Sequence, residues 1–170
     1  MNLRQLLQPD WLLEGTLVQL PLQELLDRDI AALVLDVDRT LLPRRQALPP
    51  ESMVRWLEQA QQQLPIHLLS NNPSRQRIGT VAHQLGVPFT TSAGKPRRRA
   101  LRRVLEALQL PPHRVALIGD RLFTDVIVGN RLGLFTVLVK PIDPQGQPCQ
   151  RDRLQKLELR LAHWVGTSLG

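Results

Sequence analysis

From about Ile30 onward, short continuous apolar runs alternate with stretches whose apolar residues recur at helical spacing. Ile30–Leu35, Ile66–Leu69, Val87–Thr90, Val115–Ile118 and Leu134–Val139 are short enough for buried strands. Glu51–Leu64 predicts a helix with Met53, Trp56, Leu57, Ala60 and Leu64 on one face. Ser74 fits the N-cap of a second helix carrying Ile78, Val81, Ala82 and Leu85, which Gly86 stops. Pro96 fits the first turn of a third, with Leu101, Val104, Leu105 and Leu108 as its apolar stripe. A short helix is expected near Phe123–Arg131, and a last one from about Asp152 to Val165 after the Pro/Gly/Gln-rich loop 141–150. On that last helix Leu154, Leu157, Leu161 and Trp164 form a stripe, expected to face the core. The first thirty residues are leucine-rich, broken by Pro9 and Pro21, with a helical piece around Leu22–Leu26.

Strands alternating with helices predict an α/β fold, a parallel sheet covered on both faces. Right-handed crossovers place the loops after the strands along one edge, where ligands of open sheets bind. Three of those loops hold unusual polar residues: Asp36–Thr40, Ser70–Asn72 and Gly119–Asp125; Lys95 lies on the same edge. The chain has 170 residues, enough for one domain with a substantial core, and 42% of them are hydrophobic. The expected organisation is an extension at 1–29 packing on a catalytic core at 30–141, closed by a C-terminal helix at 151–166.

Charge and cysteine content narrow the setting. There are 22 Lys plus Arg against 15 Asp plus Glu, favouring anionic partners such as phosphates, acidic headgroups or nucleic acid. Three Phe, three Trp and no Tyr leave few stacking platforms, which argues against single-stranded nucleic acid. The lone Cys149 excludes an internal disulfide and fits a reducing compartment. With no continuous apolar leader at the start and no run of about 20 apolar residues, a cytoplasmic protein is expected.

The candidate chemistry begins at Leu33–Pro43, where Asp36 and Asp38 leave the end of an apolar strand two residues apart, followed by Thr40. Carboxylates at the edge of a core are costly without a cation or a reacting group. A carboxylate can attack a phosphoryl group and form an aspartyl phosphate, if a divalent cation and a fixed ammonium offset the repulsion. Lys95 supplies the ammonium, the Ser70 hydroxyl can hold transferring oxygens, and a second carboxylate can serve as acid and then base. Asn71 and Asn72 fit equally well as turn residues, and Asp125 fits as an N-cap. His67, His83, His113 and His163 have no zinc-ligand spacing.

These four pieces, Asp36-x-Asp38-x-Thr40, Ser70-Asn71-Asn72, Lys95-Pro96 and Gly119-Asp120 with Asp125, resemble the four motifs of the haloacid dehalogenase (HAD) superfamily of phosphatases. The resemblance covers roughly Ile30 to Pro141 and implies a three-layer Rossmann-like sheet with the first motif's strand in the middle. It implies Asp36 as nucleophile, Asp38 as general acid/base, and Ser70, Asn71 and Lys95 as phosphate-binding residues. Mg²⁺ would then be held by Asp36, Asp38, Asp120 and Asp125. The segments Ser70–Asn72, Gly119–Asp125 and Gly129-Asn-Arg-Leu-Gly133 further resemble the YqeG-type group of subfamily IIIA, as does the opening Pro9-Asp10. That group includes mitochondrial and plastid phosphatidylglycerophosphate phosphatases, so the resemblance implies a phosphorylated lipid head group as substrate. Arg39 departs from the group, which usually carries Asn there.

Spacing adds an independent point. One helix fills most of the interval from Asp38 to Ser70, and another that from Ser70 to Lys95, leaving no room for a cap domain. A capless site suits a phosphate projecting from something large, such as a membrane, polymer or protein. Arg97, Arg98, Arg102 and Arg103 fit either a solvated helix face or peripheral contact with an anionic bilayer. Leu3, Leu6, Leu7, Trp11 and Leu12 fit packing against the domain better than an interfacial anchor, because Pro9 interrupts them. Two other functions remain open: a phosphatase for a soluble phosphomonoester or phosphoprotein, and a basic RNA- or ribosome-binding adaptor on a phosphatase scaffold.

Overall fold

The computed structural model describes residues 2–43, 45–149 and 152–167. In chain order the helices are α1 (Leu3–Leu7), α2 (Leu22–Asp27), α3 (Glu51–Gln61), α4 (Arg75–Leu85), α5 (Arg99–Leu108), α6 (Ile127–Asn130) and α7 (Arg153–Trp164). The strands are β1 (Trp11–Leu12), β2 (Ala32–Leu35), β3 (Ile66–Leu69), β4 (Phe89–Thr90), β5 (Val115–Gly119) and β6 (Phe135–Leu138). All pair in parallel in one sheet of order β1-β6-β5-β2-β3-β4.

Alternation along the strands builds the three layers. Leu33 and Leu35 point into one core with Leu57, Leu68, Ile78 and Ile118, under α3 and α4. Ala32 and Val34 point into the other with Leu117, Leu101, Val104 and Val128, under α5 and α6. From β2 the chain moves outward through β3 and β4, then returns to the other side of β2 for β5 and β6. The order therefore reverses between β2 and β5, and a crevice opens beyond their carboxyl ends. The backbone N–H of Asp36 donates to Ile118 O at 2.9 Å, which fixes the two strand ends at one level.

Most predicted elements are present, and the departures have local causes. Ser74 Oγ accepts from Arg77 N–H and Gly86 closes α4 at φ 65, as expected for a cap and a left-handed stop. α3 ends at Gln61 rather than Leu64, because Pro65 disfavours helical backbone at the residue before it. Pro88 has no N–H to donate to the ladder, and β4 starts after it, at Phe89–Thr90. Pro96 lies outside α5, which begins three residues later. Trp11–Leu12, for which no strand is expected, adds an edge strand beside β6.

Asn130 clamps the N-terminal segment. Its Nδ2 lies 2.8–3.1 Å from Gln5 O, Leu6 O and Gln8 O, as their donor, and its Oδ1 lies 3.0 Å from Thr136 Oγ1. Asp10 Oδ2 accepts from Thr136 N and Oγ1, tying the same segment to β6. Leu7 is buried against Leu122, Val126, Leu138 and Ala162, so the N-terminal segment packs on the core.

The Leu/Trp stripe of α7 overturns its expectation. Leu154, Leu157, Leu161 and Trp164 are 42%, 51%, 45% and 89% exposed, while Gln155, Glu158 and Ala162 are buried. The reason lies in what α7 packs against, which is the polar rim described next.

Candidate active site

Asp36 follows the last residue of β2 and Asp120 the last of β5, so two carboxylates meet at the reversal of strand order. A wide π-helical turn, Leu122–Val126, returns Asp125 to the same point. There its Oδ2 accepts from Arg121 N–H at 3.1 Å. Gly119 is required: a Cβ at that position would collide with the Asp125 carboxylate. Asp36, Asp120 and Asp125 are all buried and each offers an oxygen within 4.8 Å of the others.

Lys95 is buried among them. Its Nζ lies 2.6 Å from Asp36 Oδ1 and 2.9 Å from Leu69 O, with hydrogen-bonding geometry. Asp125 Oδ1 is 2.7 Å away, an ion pair off the hydrogen-bonding direction. Asn71 fixes the lysine's backbone: its Oδ1 accepts from Lys95 N–H at 2.8 Å and its Nδ2 donates to Lys95 O at 3.1 Å. Burial opposes the ammonium charge, but Asp125 and Asp36 outweigh it and hold the Lys95 pKa above its ordinary value.

The carboxylates outnumber the cation they enclose. Burial pushes Asp36 up to about 6; Lys95 opposes this, while Asp125 and Asp38 add to it. Burial, Asp36 and Asp125 hold Asp120 well above its ordinary value, against Arg39 and Arg121. Asp120 Oδ2 has no hydrogen-bond donor among the described residues; the Arg39 guanidinium is 4.0 Å from it. Clustered hard oxygens, surplus negative charge and an orphaned carboxylate oxygen are what a divalent cation needs, so Asp36, Asp120 and Asp125 fit one.

The Asp38 side chain belongs to a neighbouring group rather than to this trio. It forms an ion pair with Arg77, accepts from Ser70 Oγ at 3.1 Å, and lies 3.4 Å from Asn72 Nδ2. Ser70 Oγ also accepts from Asn72 N–H. Thr40 Oγ1 is buried with no partner among the described residues. Asp36, Asp38, Arg39, Asn71, Lys95, Asp120, Arg121 and Thr124 line a cavity of about 160 Å³.

Five contributors lie outside the sequence-based expectation: Arg77, Arg121 and, from α7 and its N-cap, Asp152, Gln155 and Glu158. Arg77 sits in the first turn of α4, where a cation opposes the helix dipole. That mismatch is the signal that could have singled it out. Arg121 reaches Glu158 of α7, with Nη2–Oε1 at 2.6 Å and Nε–Oε1 at 2.9 Å, while Glu158 Oε2 accepts from Leu122 N–H. Gln155 Nε2 donates to Asp120 O and Val139 O, and Asp152 pairs with Arg39. Arg39 itself has φ 72, a left-handed conformation that Asn adopts more readily than Arg. α7 thus presents Asp152, Gln155 and Glu158 to the site.

The HAD-hydrolase-like family pattern matches residues 92–162. The "Probable phosphatase YqeG" of Bacillus subtilis (strain 168) is 31% identical over 121 residues, covering 71% of this chain and 70% of that protein. A chloroplastic phosphatidylglycerophosphate phosphatase 1 of Chlamydomonas reinhardtii is 28% identical over 100 residues, 58% of this chain and 36% of that protein. Among solved structures, a HAD-superfamily hydrolase of subfamily IA from Geobacter sulfurreducens PCA superposes with a TM-score of 0.53 at 13% identity. The match covers 64% of this chain and 89% of that one, and it bears on the fold alone. Sequence, sheet order and the placement of the motifs agree, and the chain belongs to the HAD-type phosphatases, on the branch that holds YqeG.

Proposed function

We propose that this chain is a Mg²⁺-dependent phosphomonoesterase that works through an aspartyl phosphate on Asp36, with a phosphorylated lipid head group as its substrate. The observation that carries the reading is the buried Asp36–Asp120–Asp125 trio around Lys95 at the floor of an open cavity. Asp36, Asp120 and Asp125 would hold Mg²⁺ through their side chains, and Asp38 through its main-chain carbonyl. The bound ion would neutralise phosphoryl oxygens and lower the repulsion between them and an attacking carboxylate.

An Asp36 oxygen attacks phosphorus, and the P–O bond to the leaving alcohol breaks as Asp38 gives that oxygen a proton. Lys95 offsets charge on the transferring oxygens, which Ser70 and Asn71 help to position. Asp38, now a carboxylate, takes a proton from water. The resulting oxygen attacks phosphorus, releasing inorganic phosphate and restoring Asp36. Arg77 and Ser70 hold the Asp38 carboxyl in place between these two roles.

Three features support the lipid phosphate. Among the described residues no inserted unit stands over the cavity, so a phosphate carried on a large body can reach it. Arg97, Arg98, Arg99, Arg102 and Arg103, in and just before α5, line a groove with Glu106 and with Arg131 at the end of α6, six cations against one carboxylate. The Chlamydomonas relative bears the name of a phosphatidylglycerophosphate phosphatase. On this reading residues 1–170 form one catalytic unit, located at the cytoplasmic face of a membrane. No helix among the described residues is long and apolar enough to cross one.

The test is phosphate release from phosphatidylglycerophosphate in vesicles, against a panel of soluble phosphomonoesters and phosphopeptides, with EDTA and with Mg²⁺ restored. The expected result is Mg²⁺-dependent turnover with the vesicle substrate preferred. Equal or better turnover of a soluble ester moves the assignment to that ester. No turnover of any ester, with salt-sensitive RNA affinity, assigns an adaptor instead.

A further inference from the structure

We propose that the outward face of α7 docks on an anionic bilayer surface, bringing the active-site opening to phosphates carried there; the second clause rests on the phosphatase reading. Leu154, Leu157, Leu161 and Trp164 occupy one stripe, and each is at least two-fifths exposed. A stripe of large apolar side chains on a helix normally faces a core. Here the opposite side of the helix is taken by Gln155, Glu158 and Ala162, held by Asp120 O, Val139 O, Arg121 and Leu122 N–H. The outward stripe therefore has no place in the fold's own core.

The charges around the stripe decide what covers it. The one acidic residue within α7, Glu158, is turned inward and ion-paired, so the exposed face carries cations alone, Arg153 and Arg160 among them. Large apolar groups flanked by arginines match the boundary between acyl chains and anionic headgroups. Two copies of this face would oppose like charges. Beside the stripe, a groove of about 500 Å³ is lined by Leu12, Leu159, Trp164, Arg160 and His163. Glu14 also borders it, with its charge met by Lys140.

Geometry links this face to catalysis. α7 is about 18 Å long at 1.5 Å per residue. Its N-cap, Asp152, pairs with Arg39 in the site cavity, and Gln155 bonds the backbone of Asp120. A surface that seats Leu154 and Leu157 thus lies within the first two turns of the cavity. The helix serves the site with its polar side and a membrane with its apolar side.

The experiment uses the full chain with phosphatidylcholine vesicles, alone or mixed with phosphatidylglycerol, read by co-sedimentation. The wild type is expected to bind mixed vesicles at least about tenfold more tightly than neutral ones. The variant Leu157→Gln/Leu161→Gln/Trp164→Gln should lose at least about tenfold of that affinity. Its turnover of p-nitrophenyl phosphate should stay within about twofold of wild type, showing an intact fold and site. Tryptophan emission of the wild type should shift to the blue on mixed vesicles, and Trp164→Phe should abolish the shift, because Trp56 is buried and Trp11 is half-buried with Arg28 over its ring. Equal vesicle binding by the triple variant overturns the proposal. So does a wild-type dimer that the variant converts to monomer with vesicle binding unchanged. If the variant loses vesicle binding but the wild type hydrolyses no ester, the docking face stands and the phosphatase reading falls.

Discussion

α5 and α7 carry similar patterns and use them in opposite ways. Each has leucines at helical spacing among arginines, and each starts at the rim of the site. α5 lies on a sheet face made of Val34, Leu117 and their neighbours, so Leu101 and Val104 turn inward and its arginines outward. α7 meets the ionic rim instead, where Arg121, the backbone of Asp120 and the N–H of Leu122 need polar partners. Gln155 and Glu158 satisfy them, and the leucines are left outside. The inward side of an amphipathic helix is set by its neighbour, and the cost of leaving polar groups unmet can outweigh the burial of an apolar stripe.

Both helices border the same candidate centre, and the largest effect is expected there. Asp36→Asn should lower kcat by at least about a thousandfold in steady-state phosphate release, with an unchanged circular dichroism spectrum. Leu101→Ala opens a cavity in the α5 core and should cost about 2–5 kcal/mol in urea unfolding. Glu158→Gln leaves Arg121 without its charge partner and should cost about 1–3 kcal/mol by the same measurement. Leu157→Ala, the α7 counterpart of Leu101→Ala, should fall within about 0.5 kcal/mol of wild type. Equal costs at Leu101 and Leu157 would erase the distinction between the helices.

The ionic rim also predicts a pH dependence of opposite sign to most carboxylates. In the folded, metal-free chain the Asp36 carboxyl sits at about 6, above its ordinary 3.8, and Asp120 is raised as well. The folded state therefore holds protons that the unfolded chain has released. Stability in EDTA should rise as pH falls from about 7.5 towards 5, and be lost as pH rises through about 6. Each tenfold gain in proton affinity on folding is worth about 1.4 kcal/mol, so an increase of several degrees in Tm is expected by calorimetry. Excess Mg²⁺ at pH 7.5 should recover that loss, because the ion replaces the missing protons as counter-charge.

The parallel sheet and the four motif loops are readable in the sequence because their signals are local. A run such as Leu33–Leu35 specifies a buried strand, and Gly86 or Ser74 specifies a helix end with no knowledge of the rest. Asp36, Asp120, Asp125 and Lys95, expected on one edge, meet within one cluster. The outward stripe of α7 is not readable, since Gln155, Glu158 and Ala162 repeat at a spacing as regular as that of the leucines. Choosing between the two faces requires knowing that Arg121 stands opposite. Arg77 carries the local signal of a cation in a first helical turn, but not its purpose, because its partner Asp38 comes from a loop thirty-nine positions earlier. The edge strand Trp11–Leu12 is two residues long, too short for any periodic signal.

The most direct test of the account is to find the phosphoryl group on the protein. The full chain with Mg²⁺ and a phosphorylated substrate is quenched in acid during turnover, digested and examined by mass spectrometry. The expected result is one phosphoryl group on Asp36, in the peptide from the loop after β2, and none there in Asp36→Asn. Active enzyme that shows no such adduct, or carries it on another residue, would contradict the proposed chemistry.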